Sequence, residues 1–326
     1  MKRLINPAIV GFITFLILKT TTFGWRFSSS QYPQVKPQNN LLTENLKRHV
    51  YKISHEIGIR DMWNYNGLVK AASYISEQFN SYGYDIEFQD YIVENKKVRN
   101  IIATKKGAKF PDEIVIVGAH YDSCANPGAD DNASGIAGLL ELARLMADKR
   151  VNRTVKFVAF VNEEPPFFKT KDMGSYVYAK DAKAKKENIK IFINLESIGY
   201  YTNKINSQRY PIILGMFYPN RGNCISIISN MRSGSLAKKL KSVFSRYSNF
   251  PMELSIMFDF IGGIDFSDHW QFWREGYTAV MVTDTAFFRN PYYHTDLDTW
   301  EKLDYEKMAC VVEGLSYAIA ELTNDD

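Results

Sequence analysis

The chain has 326 residues, of which 45% are hydrophobic, and it carries a formal net charge of +4 at pH 7. This length can bury a substantial core in one large domain or two modest ones. Lys2, Arg3 and Lys19 carry most of that excess positive charge, and the first 24 residues contain no acid. The rest of the chain is almost neutral, so its charge gives no case for nucleic-acid binding.

The first 24 residues have the pattern of a secretory signal. Two basic residues precede an apolar core, Ala8 to Leu18, which is shorter than a membrane-spanning helix needs. The sequence Thr22-Phe23-Gly24 is only a loose cleavage site, which leaves an uncleaved anchor as the alternative. We therefore expect export to the periplasm or the extracellular space, with residues 25–40 as a linker and membrane contact only through such an anchor.

Residues 41–326 have the pattern of one α/β domain. Helical periodicity marks four segments: Leu42–Ile57, Leu68–Phe79, Ile136–Ala147 and Met308–Leu322. Short β-rich runs mark the strands: Ile86–Val93, Asn100–Ala103, Ile114–Val117, Val155–Val161, Ile189–Leu195 and Ala279–Thr283. Because strands alternate with helices, we expect a central mixed, mainly parallel sheet flanked by helices.

Residues 200–258 have the least regular pattern in the domain. Within them, Cys224–Ile228 resembles a strand and Leu236–Phe244 resembles a helix, whereas Tyr210–Gly222 resembles a loop. We expect this segment to be an insertion that shapes the cleft.

Acids and histidines follow the predicted strands at their carboxyl ends. His120 ends one strand, Glu163 and Glu164 follow the next, Glu196 ends a third, and His294 lies in the loop after the last. Ligands of open α/β sheets gather beyond this edge. Imidazole and carboxylate groups suit a zinc-like cation better than a phosphate. The sequence therefore predicts a metal site at this edge of the sheet.

The loop after His120 contains Asp130 and Asp131 just before a predicted helix. Taken alone, this stretch has an alternative interpretation, in which the histidine is a hydrogen-bonded core residue and the two aspartates are turn and cap residues. Cys124 lies in the same loop, either as a thiolate ligand or as a small buried thiol. With Cys224 and Cys310 the chain has three cysteines, too few for a disulfide framework.

Six short motifs carry a family resemblance. They are His120-Tyr121-Asp122-Ser123, the run from Pro127 to Gly135, Glu163-Glu164, Asn194-Leu195-Glu196, Ser267-Asp268-His269 and His294-Thr295. Together they make the chain similar to the co-catalytic di-zinc aminopeptidase family, whose relatives include secreted bacterial aminopeptidases, glutamate carboxypeptidases and glutaminyl cyclases. The resemblance covers Leu41 to the C-terminus and implies a zinc-exopeptidase fold.

This resemblance implies two zinc ions per chain. His120 and Glu196 would bind one ion, Glu164 and His294 the other, and Asp131 would bridge them. The family commonly has aspartate where this chain has Glu196, a change that keeps the carboxylate and adds a methylene. Two such ions can share a water, lower its pKa towards neutrality and polarise the scissile carbonyl.

The resemblance also implies supporting roles. Asp122 would orient His120, Asp130 would belong to the loop, and a cis peptide bond would follow Asp131. Because adjacent side chains point apart, Glu163 is free to act as the general base while Glu164 binds metal.

Several residues are candidates for the substrate pocket. By resemblance Asp268 and His269 lie near the cleft, where His269 either contacts substrate or holds its own loop. The aromatic residues Tyr200, Phe287 and Tyr293 would line an apolar pocket for the first side chain, with ordinary packing as the alternative. The run Pro165-Pro166-Phe167-Phe168 departs from the Gly-rich continuation that is usual in the family, which alters a wall of the pocket.

We therefore expect a secreted zinc aminopeptidase that acts on peptides. The alternatives are a glutaminyl cyclase with one zinc ion, a carboxypeptidase of the same family, and a metal-free receptor-like ectodomain. The sequence leaves the oligomeric state open.

Overall fold

The computed structural model describes residues 35–38, 40–210, 218–259 and 261–325. The predicted export segment and most of the linker lie outside these residues. Within these ranges, no helix has both the length and the apolar composition that crossing a lipid bilayer requires.

Seven α-helices and eight strands form the described part of the chain. In chain order, the helices are α1 (Asn40–Tyr51), α2 (Tyr65–Ser81), α3 (Gly135–Met146), α4 (Gly174–Ala184), α5 (Gly234–Tyr247), α6 (His269–Arg274) and α7 (Tyr305–Asn324). The strands are β1 (Asp85–Val93), β2 (Lys96–Lys105), β3 (Phe110–His120), β4 (Arg153–Phe160), β5 (Asn188–Glu196), β6 (Ile225–Asn230), β7 (Met252–Met257) and β8 (Ala279–Thr283).

All eight strands belong to one sheet, in the order β1-β2-β4-β3-β5-β8-β6-β7. Its centre is parallel: β3 pairs with β4 and β5, and β5 pairs with β8. Antiparallel pairs join β1 to β2, β2 to β4 and β6 to β8. The predicted fold class, a single domain with a mixed and mainly parallel sheet flanked by helices, is confirmed.

The core lies on both faces of the sheet, as β3 illustrates. Its residues alternate, with Val115 and Val117 packed in one apolar layer and Ile114 and Ile116 in the other. Residues of α1, α2, α3, α5 and α7 fill the first layer, and residues of α4 and α6 fill the second. A strand buried on both faces reads as a continuous apolar run, which is why its sequence predicted a strand.

Residues 200–258 contribute two strands to the sheet. β6 pairs antiparallel with β8, and β7 pairs parallel with β6, so this segment provides the last two strands at one edge. The predicted helix in this segment corresponds to α5. β7 was not predicted, because this half-buried strand carries Glu253 and Ser255 within an apolar pattern of only six residues.

The parallel register brings the ends of the central strands together. His120 pairs with Phe160 at the end of β4, and Glu196 pairs with Thr283 at the end of β8. The loops that leave β3, β4, β5 and β8 therefore start at the same edge of the sheet, where the predicted ligands lie.

Candidate metal centre

Two groups of ligand-type side chains meet beyond this edge. His120 Nε2 lies 3.2 Å from Asp131 Oδ1 and 3.3 Å from Glu196 Oε2. His294 Nε2 lies 3.0 Å from Asp131 Oδ2 and 3.2 Å from Glu164 Oε2. Each oxygen of Asp131 thus faces a different histidine, which gives this carboxylate the geometry of a bridge between two triads.

The donor set fits zinc. Zinc–nitrogen and zinc–oxygen bonds of about 2.0 to 2.2 Å in a tetrahedron separate neighbouring ligand atoms by about 3.3 to 3.6 Å. The four separations within the triads, 3.0 to 3.3 Å, are close to this range. Three buried atoms of this centre have no hydrogen-bond partner among the described residues: Nδ1 and Nε2 of His120 and Oε1 of Glu164. Buried polar atoms without partners are costly, and a bound cation would satisfy them.

Charge in this centre also favours a cation. Burial, together with the charge of Asp131, raises the pKa of Glu164 to about 8. Burial opposes the charged form of His120, but Glu196 and Glu163 outweigh it and raise the pKa of this histidine well above 6.5. With these pKa values, Glu164 and His120 hold protons near neutral pH when no metal ion is bound. A bound metal ion would displace those protons.

Asp122 connects the end of β3 to the paired glutamates. Its Oδ1 accepts from the backbone N–H of Glu163 at 3.1 Å, and its Oδ2 accepts from that of Glu164 at 3.0 Å. Oδ1 also lies 3.5 Å from His120 Nδ1. This position, behind the histidine ring, suits the orienting role that the resemblance implies.

Glu163 and Glu164 point to different parts of the centre. Oε2 of Glu163 lies 3.9 Å from His120 Nε2, whereas Oε2 of Glu164 contacts His294. Glu163 is 7% exposed. Burial and the charges of Glu196 and Glu164 raise its pKa well above 4.5, which makes its carboxylate a stronger proton acceptor.

We call residues 121–134, between β3 and α3, the ligand loop because they include Asp131. Asn132 fastens this loop to the end of β5. This side chain donates to the carbonyl of Leu195 at 2.9 Å and accepts from the backbone N–H of Gly135 and Ser197, both at 3.0 Å. The peptide bond between Asp131 and Asn132 is cis, as predicted.

Asp130 and Asp298 support the loop from the other side. Asp298 accepts from the backbone N–H of Asp130 at 3.0 Å and of Asp131 at 3.1 Å. Asp130 accepts from the backbone N–H of Gly199 and from the amide of Asn290, both at 2.9 Å. Their carboxylates are thus engaged with protein donors, in agreement with the loop role expected for Asp130.

Glu196 is held by a serine from the loop before α6. Ser267 donates its hydroxyl to Glu196 Oε2 at 2.6 Å, and Asn194 donates to the same hydroxyl oxygen at 2.8 Å. These two hydrogen bonds, from Asn194 to Ser267 and from Ser267 to Glu196, fix the longer glutamate side chain where the family commonly has aspartate.

Arg60 is a supporting residue that the sequence analysis missed. Its side chain is fully buried and donates to the carbonyls of Tyr121 at 2.7 Å, Pro127 at 2.5 Å and Gly128 at 2.7 Å. The guanidinium therefore holds both ends of the first half of the ligand loop. Burial lowers its pKa only to about 10, so it remains a cation beside the acid cluster.

Cys124 lies near Glu164 and His294, two members of the triad that also includes Asp131. It is half-buried, and a ligand atom of each of Cys124, Glu164 and His294 lies within 4.8 Å of the others. All three cysteines of the chain are free. The position of Cys124 is close enough for a metal ligand, and its unpaired sulfur also fits a small, half-buried thiol.

A cavity of about 90 Å³ opens beside Glu196. Phe287 and Tyr293 line it, together with apolar side chains that include Met257, Ile261, Ile264, Phe266 and Phe288. Hydrophobic walls of this kind are typical of pockets that bind an apolar side chain.

The other three predicted pocket residues do not line this cavity. His269 is fully buried, and its Nε2 donates to the carbonyl of Ile264 at 2.6 Å. Asp268 is fully buried, which raises its pKa to about 7. Tyr200 packs edge-on against Tyr292, with ring centroids 6.1 Å apart.

Comparison with known proteins identifies the family. Residues 100–319 match the sequence profile of Peptidase family M28. The uncharacterized protein YfbL of Escherichia coli K12 is 36% identical over 325 residues, which cover 97% of this chain and 98% of YfbL. A probable leucine aminopeptidase 1 of Trichophyton verrucosum is 29% identical over 225 residues, or 64% of this chain. The matched part spans 54% of that fungal protein, about half its length.

A solved structure shows the same fold. BSAP, a zinc aminopeptidase from Bacillus subtilis, superposes with a TM-score of 0.71 at 16% identity, covering 87% of this chain and 95% of BSAP. A match at 16% identity shows only that the two proteins share a fold. The profile match and the 36% identity to YfbL show that the chain shares its ancestry with this family. The chain therefore belongs to Peptidase family M28, and it is a metallopeptidase.

Proposed function

We propose that the protein is an exported zinc aminopeptidase that hydrolyses the first peptide bond of its substrates at a centre of two zinc ions. One observation carries this proposal: the two oxygens of Asp131 face the histidines of two separate triads, at 3.2 and 3.0 Å. A single-metal site would need only one of these triads.

Each zinc ion would have three protein ligands. His120, Asp131 and Glu196 would hold one ion, and Glu164, His294 and Asp131 the other. When bound, such a pair of ions activates water and polarises the carbonyl of the scissile bond.

Glu163 is the general base in this proposal. Its carboxylate faces the same buried space as His120, at 3.9 Å, and burial raises its pKa. It would accept a proton from the attacking water and deliver it to the nitrogen of the leaving residue. Asp122 supports this step because it fixes the backbone on which both glutamates lie.

The apolar cavity beside Glu196 would hold the side chain of the first residue. Phe266, Phe287 and Ile264 offer it an apolar wall, and Glu196 places the cavity next to the proposed metal ions. This chemistry favours leucine-like residues, and a related fungal protein is a probable leucine aminopeptidase. Equal turnover of leucyl, lysyl and glutamyl anilides would contradict this assignment.

Export rests on the sequence of the first 24 residues alone. Mass spectrometry of the mature protein, isolated from the periplasm or the medium, tests it. Recovery of the full-length chain from the cytoplasm would contradict it.

The variant Glu163→Gln tests the mechanism. It keeps the shape of the side chain and removes the proton acceptor, so we expect retained zinc and a loss of leucyl-anilide turnover of two to four orders of magnitude. Glu87→Gln, an exposed glutamate on β1, is the matched control and should keep full activity. Unchanged turnover in Glu163→Gln would refute the assigned base. One zinc per chain, with ammonia release from N-terminal glutamine, would favour a glutaminyl cyclase.

A further inference from the structure

A second cavity, of about 50 Å³, lies against the metal centre beside Glu164. We call it the Trp63 cavity; its lining includes Met62, Trp63, Cys124, Glu164, Pro165 and Phe167. Among the residues that the structure describes, none lines both this cavity and the apolar cavity beside Glu196. Each of the two triads thus has its own cavity, one touching Glu196 and the other touching Glu164.

The segment after the paired glutamates helps to build both cavities. Phe167 lines the Trp63 cavity and stacks on Trp63, with ring centroids 6.2 Å apart and an interplanar angle of 28°. Its neighbour Phe168 packs edge-on against Phe266, at 6.2 Å, and Phe266 lines the cavity beside Glu196. Bulky rings therefore stand where the family resemblance implies a Gly-rich continuation.

The Trp63 cavity offers a ligand mainly apolar surface. Met62, Trp63, Pro165 and Phe167 contribute thioether, indole, pyrrolidine and phenyl groups. Its acidic lining residues are Asp61, Asp122 and Glu164. Asp61 accepts from the backbone N–H groups of Trp63 and Asn64, Asp122 accepts from those of Glu163 and Glu164, and Glu164 faces His294. None of the described residues that line the cavity is basic, so none of them would pair with an acidic side chain.

Trp63 itself is a large aromatic residue with 64% of its surface exposed. Its partner Phe167 is 7% exposed and holds the indole in place. An exposed, supported indole beside a reaction centre provides rigid apolar area that a bound side chain would cover.

We propose that the Trp63 cavity is a second specificity subsite, which holds an apolar or aromatic side chain of the substrate's second residue, the one released as the leaving group. The inference rests on the proposed function. With the first side chain beside Glu196, the second residue lies across the scissile bond, towards Glu164. Successive side chains of an extended peptide point in opposite directions, which suits two separate cavities.

Dipeptide amides test this subsite. Leu-Gly-amide places no side chain in the Trp63 cavity and is the reference for each variant, whereas Leu-Phe-amide and Leu-Lys-amide place a phenyl ring or a cation there. We expect the wild-type protein to have a kcat/KM for Leu-Phe-amide on the order of tenfold or more above that for Leu-Gly-amide, because an aromatic side chain is buried. The value for Leu-Lys-amide should be closer to that for Leu-Gly-amide.

Substitution of the exposed indole should remove this preference. In Trp63→Ala the Phe-to-Gly ratio of kcat/KM should fall by about fivefold or more, and Trp63→Phe should restore part of it. Phe88→Ala is the control, since Phe88 is a 43% exposed aromatic residue on β1 outside both cavities and should leave the ratio unchanged. Because Trp63 is largely exposed, its replacement should leave the fold intact.

The results of these assays distinguish a failure of the proposed subsite from a failure of the proposed aminopeptidase activity. Turnover of all three amides with equal kcat/KM would overturn the subsite and leave the aminopeptidase intact. The same would follow from an unchanged ratio in Trp63→Ala, or from a preference for lysine over phenylalanine. Absence of turnover with every amide would overturn the proposed function, and the subsite with it.

Discussion

Replacement of Arg60 by methionine should destabilise the protein and loosen its hold on metal. Methionine fills much of the same space but has no donor for the four carbonyls that the guanidinium contacts, three of them at 2.5 to 2.7 Å and that of Gly58 at 3.3 Å. A buried acceptor left without a partner costs about 1 to 3 kcal/mol. The variant no longer has to bury a cation, which offsets part of this cost. We therefore expect its free energy of unfolding to fall by about 3 to 5 kcal/mol.

Urea unfolding, followed by tryptophan fluorescence, measures this loss. Arg60→Lys should fall between methionine and the wild type, because a lysine ammonium keeps the charge but cannot match the planar fork of the guanidinium. Arg246→Met is the control: this side chain is 55% exposed and pairs with Glu321, so its loss should cost at most about 1 kcal/mol.

A second measurement connects Arg60 to the metal centre. Since its guanidinium holds the loop between Tyr121 and Gly128, the methionine variant should also retain less zinc after dialysis than the wild type. If Arg60→Met were no less stable than the Arg246→Met control and kept its full zinc content, the supporting role of this arginine would be refuted.

Two further predictions concern acid stability and the bridging ligand. Burial lowers the pKa of His269 to about 4, from 6.5, so its neutral form stabilises the fold fully above pH 6.5, and this contribution is lost as the pH falls from 6.5 to 4. In His269→Gln the urea midpoint should therefore fall less between pH 6.5 and pH 4 than it does in the wild type. His55→Gln, at an exposed position, is the control and should show the wild-type fall. The same fall in His269→Gln as in the wild type would contradict the reasoning. Asp131→Asn removes the shared charge, so we expect less than one zinc per chain by elemental analysis after dialysis, and two would contradict the bridge.

The edge of the sheet where the ligands meet could be predicted from the sequence. His120 and Glu196 end strands, and Glu163 and Glu164 come shortly after one. Because parallel strands align their carboxyl ends, residues that are far apart along the chain lie together at this edge. The choice of Asp131 over Asp130 as the bridge came from the family resemblance, because both residues occupy the same loop and have the same chemistry.

Other parts of the site depend on contacts that no local pattern reveals. Arg60 binds carbonyls that lie 61, 67 and 68 positions further along the chain, and any residue can provide a carbonyl. The Trp63 cavity joins segments about a hundred residues apart in the same way. The motif left two roles open for His269, contact with substrate or support of its own loop, and only the structure shows its hydrogen bond to the carbonyl of Ile264.

The number of zinc ions per chain tests the central claim most directly. Anomalous diffraction at the zinc edge, on crystals of the Glu163→Gln variant, would locate each ion without turnover of substrate. We predict two peaks, one among His120, Asp131 and Glu196 and one among Asp131, Glu164 and His294. A single peak in either triad, or none after growth in zinc, would contradict the account.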